Sequence, residues 1–104
     1  MRPFTRLAPA LAALALQASP AAAAGDAAAG KALAENWCSS CHLVSSEQAA
    51  ATTEAPPFQS IAERASGEIE ALAWFLADPH PPMPQLSLTR QEIRDLLAYI
   101  SSLK

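Results

Sequence analysis

The scarcity of β-branched residues limits which folds this 104-residue chain can adopt. After Ala24 the chain contains one valine, and its isoleucines and threonines form no run long enough for a strand. Strands are typically built from such runs. Apolar residues instead recur at helical spacing over residues 30–37, 69–76 and 93–103. The sequence therefore predicts an all-α fold.

Capping residues and prolines indicate where the helices begin and end. Asp26 can cap the first helix, and Thr89-x-x-Glu92 is a capping-box sequence ahead of the last one. A short helix is predicted over residues 58–65, after a polar loop over residues 45–57. Residues 78–84, DPHPPMP, contain too many prolines for a helix.

The first 24 residues have the features of a secretory signal peptide. Arg2 and Arg6 precede a short apolar run over residues 7–16, and Ala22-Ala23-Ala24 forms a cleavage sequence ahead of Gly25. The alternative, an uncleaved membrane anchor, would need about 20 apolar residues. We therefore expect cleavage after Ala24, which leaves residues 25–104 as a single folded domain.

Cleavage would change the net charge of the chain from −3 to −5, because it removes two arginines and leaves five basic and ten acidic residues. A nucleic-acid partner is not expected, since phosphate binding needs a basic surface. A protein partner with a basic docking surface is compatible with this charge. No segment after Ala24 is long and apolar enough to span a membrane, and we expect the mature chain to be a monomer.

The segment Trp37-Cys38-Ser39-Ser40-Cys41-His42 is compatible with two kinds of chemistry. Trp-Cys-x-x-Cys is typical of thioredoxin-like disulfide exchange, and Cys-x-x-Cys-His is typical of covalent c-type haem attachment. A thioredoxin-like site follows a buried strand, and no strand is predicted here, which favours haem. A structural disulfide or a zinc half-site is the weaker alternative, because zinc would need more ligands than His80 and scattered carboxylates supply.

Haem attachment explains the spacing of the motif. The thiols of Cys38 and Cys41 would add to the two vinyl groups of one haem, and three positions along a helical turn bring both sulfurs to the same side. His42 can then reach the iron as proximal ligand. The opposite face could be occupied by Met83 or His80, or remain open. Met83 is favoured, because neighbouring prolines restrict its backbone and no helix face would use it.

From GDAAAGKALAENWCSSCH to PHPPMPQLSLTRQEIRDLLAYISSLK, the mature chain resembles the class I cytochromes c, small bacterial periplasmic electron carriers with one haem. The resemblance implies an all-α, cytochrome c-like fold in which the N-terminal and C-terminal helices cross. Shorter helices and loops would wrap around one covalent haem c with its iron. It also implies a periplasmic location and redox partner proteins.

The resemblance places the crossing of the first and last helices at Gly30 and Tyr99. A glycine inside a helix costs about 1 kcal/mol relative to alanine, and a close crossing would justify that cost. Many relatives have an aromatic residue on the first helix where this chain has Ala34. We expect Trp37 to fill that space.

Further haem contacts are implied by the same resemblance. In the family, a proline carbonyl accepts a hydrogen bond from Nδ1 of the proximal histidine. The sequence APPF points to Pro56 or Pro57 for this role, with Phe58 packing on the haem ring. Trp74 is a candidate hydrogen-bond donor to a haem propionate, or else a core residue.

The implied function is one-electron transfer with His42 and Met83 as axial ligands, and no catalytic residue is assigned. Two alternatives remain. One is a haem enzyme or gas-binding protein with an open iron position, and Met83 discriminates against it. The other is a haem subunit of a larger redox complex, which the sequence does not separate from a free carrier.

Overall fold

The structure is a computed structural model that describes residues 1–5, 8–10, 12–14, 25–52 and 55–104. Within residues 25–52 and 55–104 it contains no β-strand, and its four α-helices are α1 Ala27–Trp37, α2 Phe58–Arg64, α3 Glu70–Ala77 and α4 Arg90–Ser101. The all-α prediction is confirmed. The predicted cleavage sequence Ala22–Ala24 lies outside the described residues. In the described part of the chain, every helix falls short of the length and apolar character needed to span a bilayer.

Side-chain caps begin the two longest helices. Oδ1 of Asp26 accepts hydrogen bonds from the N–H groups of Ala28 and Ala29 at 2.9 and 3.2 Å. At α4, the N–H of Glu92 donates to Oγ1 of Thr89 at 3.1 Å, and the N–H of Thr89 donates to Oε2 of Glu92 at 2.8 Å. These bonds satisfy N–H groups that a first helical turn leaves without a helical partner. Both predicted caps are confirmed.

Helices α1 and α4 cross closely at Gly30. A Cβ atom added at Gly30 would lie 1.9 Å from the carbonyl oxygen of Asp95 and 2.9 Å from Cβ of Tyr99. Glycine is therefore required at this position. The predicted crossing at Gly30 and Tyr99 is confirmed. The prediction for Trp37 is wrong, because 61% of its surface is exposed, whereas Ala34 is fully buried. Because α1 and α4 lie so close together, the methyl group of Ala34 fills the space between them and no aromatic side chain is needed there.

The hydrophobic core is built around the inner face of α4. Helices α2 and α3 both pack against α4, and the loop after α1 adds one fully buried side chain. The buried apolar residues of the described chain are Ala34, Cys38, Val44, Phe58, Ala62, Leu76, Leu96, Leu97, Tyr99 and Ile100. All four helices and the loop that follows the cysteines therefore share one core.

A buried carboxylate ties the beginning of α1 to α4. Oδ1 of Asp95 accepts hydrogen bonds from the backbone N–H of Asp26 and from Nε2 of Gln91, both at 2.8 Å. A buried carboxylate needs such partners to offset the loss of water. Immediately before it, Gly25 has a φ of +86°, and a Cβ atom there would lie 2.3 Å from the carbonyl oxygen of Arg94. The first residues of the folded region thus lie directly against the last helix.

Candidate haem-binding site

Residues 38–42 form a turn that continues directly from α1. The N–H of Cys38 donates to the carbonyl oxygen of Ala34 at 2.9 Å. The N–H groups of Cys41 and His42 both donate to the carbonyl oxygen of Cys38, at 3.2 and 2.9 Å. Helical geometry of this kind places positions three apart on one side of the chain. The turn therefore presents the two cysteines in the arrangement that attachment to a single planar group requires.

The environment of Cys38 is unsuited to disulfide exchange. Burial and the neighbouring Cys41 raise the pKa of the Cys38 thiol to about 11. Cysteines that exchange disulfides typically have lowered pKa values, because the thiolate is the reactive form. A helix, not a strand, leads into Cys38. Both observations contradict the thioredoxin-like interpretation.

A protein-only metal site is also not supported. Among the described residues, no group of three or more His, Cys, Asp or Glu side chains is arranged to hold a metal ion. A structural zinc site normally has four protein ligands. Within the described part of the chain, the side chains around the two cysteines therefore do not supply the further ligands that a zinc site would need.

The imidazole of His42 is oriented by one backbone carbonyl. Its Nδ1 atom lies 2.6 Å from the carbonyl oxygen of Pro56. Because a carbonyl oxygen only accepts, Nδ1 carries the proton, and Nε2 keeps the lone pair with which it can bind a metal. The carbonyl oxygen of Pro57 instead accepts from the N–H of Ile61 in α2 at 3.1 Å. Of the two prolines in APPF, Pro56 is thus the partner of His42.

Phe58 links His42 to the core. The Phe58 ring centroid lies 5.4 Å from that of His42 and 6.4 Å from that of Tyr99. The Phe58 side chain is 5% exposed, and its N–H donates to the carbonyl oxygen of Leu43 at 2.9 Å. Phe58 therefore holds the segment after Pro56 against the residue that follows His42. Its contact with a haem ring stays a prediction.

Met83 and His80 have different environments. Met83 is partly buried and packs against the hydrophobic core, and its N–H donates to the carbonyl oxygen of His80 at 3.1 Å. The exposed His80 ring meets the Phe75 ring edge-on, with centroids 4.9 Å apart. Its Nδ1 atom lies 3.0 Å from the carbonyl oxygen of Pro81. As predicted, this segment is not helical.

Trp74 does not belong to the core. It is 81% exposed, whereas Leu76 on the same helix is buried and Leu72 is partly buried against the core. Helical spacing places Trp74 on the opposite side of α3 from these leucines. The alternative that Trp74 is a core residue is therefore wrong. Its hydrogen bond to a haem propionate stays a prediction.

Gln48 contacts the turn although nothing in the sequence predicts this. Its side-chain amide is hydrogen-bonded to the backbone of Ser39, His42, Val44 and Ala50. Glutamine is common in solvated loops, and the loop pattern around position 48 is polar. No composition or spacing signal distinguishes a glutamine of this kind from an exposed one.

Comparison with known proteins identifies the family. Residues 27–104 match the family model for cytochrome c. The chain belongs to the cytochrome c family. It is 49% identical over 86 residues to cytochrome c-552 of Bradyrhizobium diazoefficiens, a match that covers 83% of each chain. No solved structure matches significantly. Together the matches support a class I monohaem cytochrome c, a haem electron carrier whose cofactor is covalently bound haem c with iron.

The donor set of this cytochrome c fits its cofactor. Thiols at positions 38 and 41 lie on one turn, and the His42 imidazole has the tautomer that leaves Nε2 available to iron. Met83 offers a thioether from a separate segment that packs on the same core. When bound, the haem supplies an iron atom that gains and loses one electron. The protein would supply the attaching thiols, the axial groups and the apolar surroundings.

Proposed function

We propose that this cytochrome c is a periplasmic one-electron carrier whose haem is attached to Cys38 and Cys41 and held axially by His42 and Met83. The observation that carries the proposal is the hydrogen bond from Nδ1 of His42 to Pro56 at 2.6 Å. It fixes the ring orientation and increases the basicity of Nε2. A histidine held in this way in both oxidation states needs little rearrangement when an electron is transferred.

The choice of Met83 over His80 is supported by the surroundings of the two side chains. Met83 packs against the core that also contains Cys38 and Phe58. His80 is exposed and is engaged by Phe75 and Pro81. A histidine and methionine pair raises the reduction potential relative to other axial sets. With both axial positions occupied, the iron has no open position for a substrate. This agrees with an electron carrier, for which no catalytic residue is assigned.

Export and partner binding form the second part of the proposal. Residues 1–24 act as a secretory signal peptide, and residues 25–104 form the mature domain with a net charge of −5. Two acidic side chains, Glu35 and Glu47, are 51% and 78% exposed and share the ammonium group of Lys31 at 3.9 and 3.5 Å. An acidic monomer of this kind would meet a basic surface on its redox partner through a small transient interface.

One preparation tests signal-peptide cleavage, haem attachment and methionine ligation. The full chain is produced in a bacterium that has the export and haem-attachment machinery, and its intact mass and oxidised visible spectrum are recorded. We expect the mass of residues 25–104 plus one haem, and a weak red charge-transfer band from methionine bound to ferric iron. A mass equal to the polypeptide alone would refute haem attachment. A missing red band with ready carbon monoxide binding to the reduced protein would favour a haem enzyme or gas-binding protein.

A further inference from the structure

Gln48 lies at the centre of a set of hydrogen bonds that holds the loop after the haem-binding turn. Its Nε2 atom donates to the carbonyl oxygens of Ser39 at 2.7 Å, His42 at 3.0 Å and Ala50 at 3.1 Å. Its Oε1 atom accepts from the N–H of Val44 at 3.0 Å. One partly buried side chain therefore joins the turn to both parts of the loop that follows it.

The chemistry of this position requires a side-chain amide. An amide nitrogen has two protons, so three carbonyl oxygens share them, and the amide oxygen still accepts from a fourth group. A carboxylate of the same shape would bring negative charge toward three carbonyl oxygens and would have no proton to donate. An apolar side chain of similar length would leave all four backbone groups without this partner.

The bonds of Gln48 act on the residue that carries the proximal ligand. Gln48 holds the backbone carbonyl of His42, and Pro56 holds the imidazole of the same residue. The next anchor is Val44, which is 1% exposed. The N–H of Val44 donates to Oε1 of Gln48, and the carbonyl oxygen of Val44 accepts from the hydroxyl of Tyr99 in α4 at 2.5 Å. Burial raises the pKa of Tyr99, which keeps this hydroxyl protonated. Hydrogen bonds therefore fix the backbone at both His42 and Val44, and the bond from Tyr99 connects this segment to α4.

We infer that Gln48 is a positioning residue that sets the hydrogen bond between Nδ1 of His42 and Pro56, and thereby tunes the reduction potential of the haem iron. The inference rests on the proposed function, because it assigns the regulation of the same axial ligand. Gln48 touches neither the imidazole nor a haem. It acts by fixing the backbone from which the imidazole projects.

The direction of the effect follows from the chemistry of the ligand. A strong hydrogen bond from Nδ1 increases electron donation from Nε2 to iron, which favours the ferric state. When Gln48 no longer fixes the carbonyl of His42, the 2.6 Å bond to Pro56 weakens. The reduction potential of the haem then rises. The Nδ1 proton of His42 also exchanges faster with water, because it is less well held.

The test uses the exported, haem-attached protein and two substitutions, Gln48→Glu and Gln48→Met. The matched control is Tyr99→Phe, which removes the hydrogen bond to the carbonyl of Val44 and leaves the carbonyl of His42 bound. Reduction potential, the exchange rate of the His42 Nδ1 proton by NMR, and unfolding by denaturant are measured for all four proteins. In the wild-type protein, the exchange rate of the Gln48 side-chain amide protons is also measured.

We expect both Gln48 variants to show faster exchange of the Nδ1 proton, and the uncharged Gln48→Met variant to show a raised potential. Tyr99→Phe should lose stability but keep the potential and the Nδ1 exchange rate of the wild type. If the Gln48 variants lost stability but kept the wild-type potential and Nδ1 exchange rate, Gln48 would have only a structural role. That result would overturn the inference. Should neither variant acquire haem, rapid exchange of the Gln48 amide protons in the wild type would overturn it, and slow exchange would support it. Wild-type protein without haem would instead refute the proposed function.

Discussion

His42 and Met83 are supplied by segments that the fold holds in different ways. His42 lies on a turn that continues α1 and is fixed by a hydrogen bond to its ring. Met83 lies in a proline-rich segment and depends on packing against the core. Covalent attachment near His42 would keep the haem in place even when the opposite side changes. The two axial positions should therefore respond differently to substitution.

Removing the Met83 thioether should leave the haem attached but change the coordination and the reduction potential of its iron. For Met83→Ala we expect a lower reduction potential, loss of the red charge-transfer band and binding of carbon monoxide to the reduced protein, because the proposed axial methionine, which would raise the potential, is gone. His80→Ala is the matched control from the same segment, and it should retain all wild-type values. A wild-type protein without the red band, in which only His80→Ala opened the reduced iron to carbon monoxide, would show that His80 is the ligand.

The sequence predicted some of these residues because their chemistry is local. The spacing of Cys38, Cys41 and His42 is set within about one helical turn, so it is visible in five letters of sequence. The choice between Pro56 and Pro57 depends on the path of a loop that returns 14 residues later. The contacts of Gln48 depend in the same way on how a polar loop folds back. Neither path is determined by composition or periodicity.

The crossing of α1 and α4 is the main contact between helices in this fold. It is predictable because the glycine on α1 and the aromatic residue on α4 occupy positions that a resemblance to a known family can place. The helix boundaries are also predictable, since Asp26, Thr89 and Glu92 bind N–H groups within three residues. The hydrogen bonds of the Asp95 carboxylate could not be predicted in this way. One of its partners, Gln91, lies in α4, but the other, Asp26, lies at the start of α1 and is distant in sequence.

Gly30→Ala should destabilise the haem-attached protein by about 1–3 kcal/mol, because the added methyl group would overlap the carbonyl of Asp95 and force the helices apart. At an open helical position the same change would stabilise by about 1 kcal/mol. Ala32→Gly, at an exposed position of α1, measures that propensity effect in the same helix. Chemical denaturation gives the free energy of unfolding. A more stable Gly30→Ala protein would contradict the close crossing.

The molecule as a whole has a modest core. Among the described residues, the largest fully buried side chains are Leu96 and Val44, and the mature domain would have 80 residues. Domains of this size often depend on a cofactor or a cross-link for stability. Two cysteines three positions apart would cross-link almost no chain if they formed a disulfide. The haem is thus expected to contribute a large share of the folding free energy.

A chain that cannot attach haem should not fold cooperatively. For the exported double variant Cys38→Ala with Cys41→Ala we expect reduced helix content by circular dichroism and a broad thermal transition, since ligand binding to the native state no longer stabilises it. The unaltered chain made without the haem-attachment machinery is the control, because it lacks haem but keeps both thiols. Native helix content and a sharp transition in the double variant would show that the polypeptide core is sufficient.

The hydrogen bond from the N–H of Asp26 to Asp95 joins positions 69 residues apart. Its partner carboxylate is synthesised 69 residues after Asp26, and the carbonyl oxygen of Arg94, against which Gly25 lies, comes from the same part of α4. Contacts of such separation form late, since the intervening chain must first be brought together. Helix α1 therefore has no docking surface until α4 has left the ribosome.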